Sequence, residues 1–174
     1  MLFADMMQFK LIKADPSHHS VFCRLWQFYQ YHQSAFDGED LDEHGRFDVD
    51  EDFLQAVLRG EEECDVYLIA VQQKIAGFAT IETTEITAQK MPELADLFIL
   101  PKYRKKGIAR SVIEQLMLQQ SQQWHVAIDE ADQLAHGFWE QLFVQMKIAG
   151  KVLSVSKVKP AETEGFSEFI VTNV

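Results

Sequence analysis

The sequence predicts a single-domain α/β protein spanning residues 1–174, with strands and helices in the order β-α-α-β-β-β-α-β-α-β-β. Three observations carry that expectation. The chain has 174 residues, long enough for one well-buried core and short for two. Its hydrophobic fraction of 47%, with 13 Phe, places it outside the low-hydropathy class of disordered chains. Its apolar residues switch between strand-like runs and helical spacing, with no internal repeat, low-complexity tract or linker between them.

Taken in order, "MQFKLIKA" (7–14) reads as a strand. It leads into "DPSHHS", where Asp15 can cap a helix and Pro16 can open it. Val21, Phe22, Leu25, Trp26, Phe28 and Tyr29 then recur at helical spacing. The acidic stretch that follows reads as a loop that becomes a second helix over about Asp50 to Arg59, a cover segment. "VYLIAV" (66–71) and "IAGFATIETT" (75–84), separated by a short polar connection, form a hairpin. "LADLFIL" (94–100) is an apolar strand ended by Pro101. The run "IARSVIEQLMLQQSQQ" (108–123) is a helix with Ile108, Val112, Ile113, Leu116 and Met117 on one face. "WHVAID" (124–129), a helix over Leu134 to Gln145, and the strands "KVLSVSKV" and "SEFIVTN" complete the order.

Composition narrows the classes of function. No stretch approaches the roughly 20 apolar residues of a membrane span, and "MLFADMMQFK" lacks the basic, apolar and small-residue regions of a signal peptide. A cytoplasmic protein with no membrane partner is the expectation. Cys23 and Cys64 lack metal-ligand spacing, and the adjacent His18 and His19 diverge on either a helix or a strand, so no metal site is expected. The formal net charge is −11, and Asp37 to Asp65 holds 13 acids against Arg46 and Arg59, leaving the rest of the chain neutral.

Against that background, "FILPKYRKKGIAR" (98–110) gathers Lys102, Arg104, Lys105, Lys106 and Arg110, five of the 16 basic residues. A strand stops at Pro101 and a helix begins near Gly107. A helix amino terminus presents unpaired N–H groups and partial positive charge, and a glycine there permits close approach of an anion. A phosphate seat is one reading, and a solvated basic turn is the other. A nucleic-acid surface is not expected, because the remaining surface is not basic.

The string Arg104-Lys105-Lys106-Gly107-Ile108-Ala109 resembles the R/Q-x-x-G-x-G/A loop of the GNAT superfamily of acyl-CoA-dependent N-acetyltransferases. The longer "DLFILPKYRKKGIA" is similar to that superfamily's strand, Pro, aromatic, loop and helix, within the same order of elements. The resemblance implies a mixed, mostly antiparallel central sheet flanked by helices. It implies acetyl-CoA as acetyl donor, with pyrophosphate held by the backbone N–H groups around Arg104, Lys105, Lys106, Gly107, Ile108, Ala109 and Arg110. The main chain of Leu97, Phe98 and Ile99 would pair with the pantetheine arm. The implied chemistry is direct attack of an amine on the thioester, with a base, an oxyanion donor and an acid for the thiolate.

"DQLAHGFWEQL" (132–142) resembles the family's N-x-x-A-x-x-F-Y segment beside the cofactor, with Ala135 and Phe138 matching. Asp132 stands at the Asn position, and Trp139 stands at the Tyr that often serves as general acid. Trp carries only an indole N–H and cannot replace that acid. A thiolate with a pKa of roughly 8–9 can leave without one. For the base, Asp96 is preferred over Glu93; spaced by three, they face opposite sides of a regular strand. The position before Asp96, a Glu in some polyamine-type members, is Ala95. "LWQFYQYHQSAFDGEDLDEHGRF" resembles an uncharacterised branch of predicted acetyltransferases. Its acids would favour a cationic amine, with Trp26, Tyr29 and Tyr31 as acceptor contacts; a packed helix face and solvated loop is the other reading. The expected acceptor is a small primary amine or an amino-terminal amine of a peptide. A CoA-binding module of this fold without catalysis is the alternative, and pairing into a homodimer would be ordinary for the architecture.

Overall fold

The computed structural model describes residues 8–119 and 122–173. Met7 of the first expected strand, the amino-terminal residues before it, and Gln120 and Ser121 of the third expected helix lie outside the described residues. The elements are β1 (Phe9–Lys13), α1 (His19–Asp37), α2 (Glu51–Leu58), β2 (Cys64–Val71), β3 (Lys74–Ile86), β4 (Gln89–Ile99), α3 (Ile108–Met117), β5 (Gln123–Asp129), α4 (Gln133–Ile148), β6 (Val152–Lys157) and β7 (Phe166–Asn173). Two short 3-10 turns, Pro16–His18 and Pro101–Tyr103, precede α1 and α3. The strands form one sheet in the order β1-β2-β3-β4-β5-β7-β6. Pairing is antiparallel for β1 with β2, β5 with β7 and β6 with β7, and parallel for β4 with β5. The expected order of elements and the mixed, mostly antiparallel sheet are both present.

Local chemistry accounts for most boundaries. Asp15 accepts from the Ser17 N–H at 2.9 Å, but the turn it caps is 3-10, so α1 begins at His19. Asp50 accepts from the Phe53 N–H at 2.8 Å and opens α2, where Glu51 and Asp52 face the positive end of the helix dipole. The β2–β3 connection is Gln72 and Gln73, with φ of 49° and 64°. Positive φ at both residues is the geometry of a hairpin turn matched to strand twist.

Strand β4 begins five residues earlier than "LADLFIL" suggests, and β3 reaches Ile86. Thr87 and Ala88 form the connecting turn with φ of 51° and 60°. Neither carries the Asn-Gly signature of such turns, and Pro92 within the strand demotes it by sequence pattern. The antiparallel neighbour supplies what local propensity lacks.

The described residues fall into two compact units: those within Met1–Ile81 together with Asp96–Lys106, and those within Glu82–Ala95 together with Gly107–Val174. In the first, α1 and α2 cover the sheet through Phe22, Leu25, Leu54, Val57 and Leu58, packed on Val66, Leu68, Phe78 and Phe98. Phe78 is the hub: Phe22, Trp26 and Tyr29 ring centroids lie 5.3, 5.4 and 5.6 Å from it. Such aromatic pairs add about 0.5–1.5 kcal/mol each beyond their buried area. In the second unit, α3 buries Ile108, Val112, Ile113 and Met117, and α4 buries Trp139, Leu142, Phe143 and Met146.

Candidate active site

The basic loop is built by strand termination. Leu100 donates to the Ala76 carbonyl at 2.8 Å, and Pro101 then removes a donor and starts the 3-10 turn. Tyr103, buried, anchors the turn, while Lys105 (φ 58°) and Gly107 (φ 77°) take left-handed backbone. Helix α3 follows, its first intrahelical bond running from Ser111 N–H to the Gly107 carbonyl at 3.0 Å. The N–H groups of Ile108, Ala109 and Arg110 therefore lie ahead of the helical ladder, and no side chain caps this end. Nothing lies within 4 Å of the position a Cβ on Gly107 would occupy. Two left-handed residues before an uncapped helix make a concave set of donors suited to an anion.

The five basic side chains divide into two groups. Arg104 turns back on the strand, its Nε donating to the Ile99 carbonyl at 2.6 Å and its guanidinium 5.7 Å from the Phe98 ring centroid. Arg110 donates to Glu114 at 2.9 Å and to Gln145 at 2.7 Å, and Lys151 donates to the other Glu114 oxygen at 2.7 Å. Burial pushes the Glu114 carboxyl up, but Lys151 and Arg110 outweigh it and hold the group below the ordinary glutamate range. Lys102, Lys105 and Lys106 are exposed, with Lys102 and Lys106 placed over the Tyr103 ring at 5.4 and 5.9 Å. These three lysines present their charge outward from the loop.

Strand β4 carries both candidate bases, in different settings. Asp96 accepts the Thr80 hydroxyl at 2.6 Å. Glu93 lies 3.3 Å from Nδ1 of His125. Leu97 is half-buried, Phe98 and Ile99 are buried, and the Phe98 carbonyl lies where a Cβ on Gly77 would come within 1.9 Å of it. Gly77 thus permits the backbone of β4 to press against β3 next to the stretch expected to meet the pantetheine arm.

Of the expected acceptor contacts, Trp26 and Tyr29 come together on Phe78, and Tyr29 also meets Phe98 at 5.8 Å. Tyr31 is 72% exposed and does not join them. The following loop is tied to α1: the Gln27 side chain exchanges two 2.9 Å hydrogen bonds with the Phe47 main chain. On α4, Asp132 caps the helix by accepting from the Ala135 N–H at 2.9 Å. Trp139, 8% exposed, packs between Phe138 and Phe143, with centroids at 5.7 and 5.3 Å. Thr80, His125 and Glu168 were not among the expected site residues. The available signal was His125 between Trp124 and Val126 in "WHVAID" and Glu168 directly before the apolar run Phe169 to Val171 in "SEFIVTN".

The family model described as "Acetyltransferase (GNAT) family" matches residues 25–143, from within α1 to within α4 and including the whole loop. The chain belongs to the GNAT acetyltransferase family. No curated protein matches this GNAT chain in sequence. Among solved structures, an acetyltransferase from Thermus thermophilus superposes with a TM-score of 0.68 at 14% identity, over 95% of this chain and 97% of that one. An acetyltransferase from Streptococcus agalactiae gives 0.57 at 14% identity over 97% and 99%. An aminoglycoside acetyltransferase from an uncultured soil metagenomic sample, in complex with trehalose, gives 0.56 at 16% identity over 77% and 86%. At these identities the likeness is one of fold. Among the described residues no helix is long and apolar enough to cross a membrane, and no group of three or more His, Cys, Asp or Glu could hold a metal.

Proposed function

We propose that this GNAT acetyltransferase moves an acetyl group from acetyl-CoA to a small primary amine or an amino-terminal amine. The observation that carries the donor assignment is the loop: Gly107 in left-handed backbone, followed by the uncapped N–H groups of Ile108, Ala109 and Arg110. Those donors hold the pyrophosphate, and Lys102, Lys105 and Lys106 add charge around it. The Ile99 carbonyl is engaged by Arg104 and the Phe98 carbonyl lies against Gly77 of β3, so main-chain pairing with the pantetheine arm falls to Leu97 and the Ile99 N–H.

Acetyl-CoA supplies an activated thioester open to direct attack. A carboxylate on β4, Asp96 or Glu93, accepts the amine proton as the new C–N bond forms. An N–H donor stabilises the oxyanion. The thiolate departs without help from residue 139, where a buried Trp stands. The 13 acids of Asp37 to Asp65 favour a cationic acceptor by steering.

Acetyl-CoA at about 100 times its Kd should stabilise the protein by about 2.7 kcal/mol, a rise of roughly 5–10 °C in Tm for a chain of this size. Gly107→Glu should abolish the shift by placing bulk and negative charge in the seat. A wild-type melting temperature indifferent to saturating acetyl-CoA would sink the assignment. One observation favours a second reading, a CoA-binding module without catalysis: Trp139 fills the general-acid position and is packed among Phe138 and Phe143. That reading predicts the thermal shift without thiol release for any amine.

A further inference from the structure

In the second unit, a buried histidine stands between two glutamates. His125 on β5 places Nδ1 3.3 Å from Oε2 of Glu93 on β4 and Nε2 3.9 Å from Oε1 of Glu168 on β7. The side chains of His125 and Glu168 are 3% and 1% exposed, and that of Glu93 is 18% exposed. Register explains the grouping. Glu93 lies opposite His125 in the parallel pair, and Glu168 lies opposite Ala127, two positions along β5 on the same face. The other Glu168 oxygen accepts the Glu162 N–H at 2.6 Å, which fixes that carboxylate.

The 3.3 Å separation is within ionic reach, yet neither ring nitrogen of His125 has an aligned hydrogen-bond partner. Burying a polar group that way is costly. An apolar side chain, like that of the neighbouring Val126, would fill the space without that cost. Packing is therefore not what the imidazole contributes. Asp96 already holds the Thr80 hydroxyl, whereas Glu93 keeps an exposed edge and has an ionisable group behind it.

We propose that His125 is a positioning residue for acetyl transfer, holding Glu93 as the proton acceptor, with Glu168 closing off the far side of the ring. With its proton on Nδ1, a small turn of the ring from the observed 3.3 Å separation brings that N–H into line with Glu93 Oε2, leaving Oε1 for the amine. The amine lone pair forms the C–N bond, its proton passes to Oε1, and the C–S electron pair leaves with the thiolate. The proposal rests on the acetyltransferase reading above.

The test measures thiol release from acetyl-CoA with phenethylamine, spermidine and a tetrapeptide bearing a free amino terminus. The proteins are wild type, Glu93→Gln, His125→Leu, His125→Gln and His125→Asn, and the acetyl-CoA thermal shift of each is recorded. Glu93→Gln should lower kcat roughly 100-fold, and His125→Leu and His125→Gln roughly 10-fold, with KM for acetyl-CoA and the thermal shift unchanged. His125→Asn should recover to within about 3-fold of wild type, because its amide nitrogen can stand where Nδ1 does, whereas the Gln amide reaches toward Glu168. Equal activity of the Asn and Gln variants, or an unimpaired His125→Leu, would overturn the proposal alone. A wild type that shows no thermal shift or releases no thiol would overturn the functional reading and the proposal with it.

Discussion

Two glycines show how a single missing Cβ shapes the site for opposite reasons. At Gly77 the obstacle is space, since a Cβ would meet the Phe98 carbonyl at 1.9 Å. The obstruction is backbone, which cannot rotate away. Gly77→Ala should therefore destabilise the fold by about 3 kcal/mol, with β4 displaced next to the pantetheine stretch. Chemical denaturation checks this, and a loss under about 1 kcal/mol would mean that the strands separate more easily than the geometry implies. At Gly107 the space is open and the constraint is conformational. Gly107→Ala should cost about 1–2 kcal/mol from left-handed strain yet retain the acetyl-CoA thermal shift, in contrast to Gly107→Glu. Comparing the two separates backbone strain from charge in the seat.

Among the elements, α3 is tied to α4 by the Arg110–Gln145 hydrogen bond and to the turn after α4 by the Lys151–Glu114 ion pair, and this cluster decides what Arg110 can do. Glu114 bridges Arg110 and Lys151, so the Arg110 guanidinium stabilises helix packing and its N–H faces the loop. Because the folded carboxyl lies below the ordinary glutamate range, its contribution is present above the unfolded value near pH 4.3 and lost as pH falls through the folded one. Glu114→Gln should lower stability by about 1 kcal/mol at neutral pH, a difference that shrinks toward zero in acid. Melting curves across pH 3 to 7 would read this; a gap constant with pH would assign the loss to packing instead. The cap on α4 is a simpler case. Asp132→Asn keeps an acceptor for the Ala135 N–H, while Asp132→Ala should cost about 1 kcal/mol in Tm measurements.

On the scale of the molecule, charge is segregated along the chain. The segment Asp37 to Asp65 carries a surplus of acids equal to the whole net charge, and five bases sit in the loop before and within α3. A polyanionic donor and a cationic acceptor would be drawn to different segments. Replacing Lys102, Lys105 and Lys106 together with Ala should weaken acetyl-CoA binding several-fold and flatten its salt dependence, with binding retained. Calorimetric titration between about 0.05 and 0.5 M salt would measure this, because screening acts most on exposed charges. An affinity lost altogether would mean that the lysines, rather than the N–H groups, are the main ligands.

The order of elements, the acidic segment and the loop around Gly107 were legible from the sequence alone. Each is written locally: apolar periodicity marks strands and helices, Asp50 marks a helix start, and Pro101 and Gly107 mark where one element stops and another begins. The partners of the polar side chains were not. Arg104, Arg110, Asp96 and Glu93 all read as site residues, yet which groups they meet, Ile99, Glu114, Thr80 and His125 respectively, depends on how the chain folds back on itself. The strand order β4-β5-β7 sets Glu93, His125 and Glu168 side by side from three separate stretches of chain. No local pattern encodes that arrangement, since the three residues lie in strands far apart in sequence, and only the register of three strands decides which groups share a face.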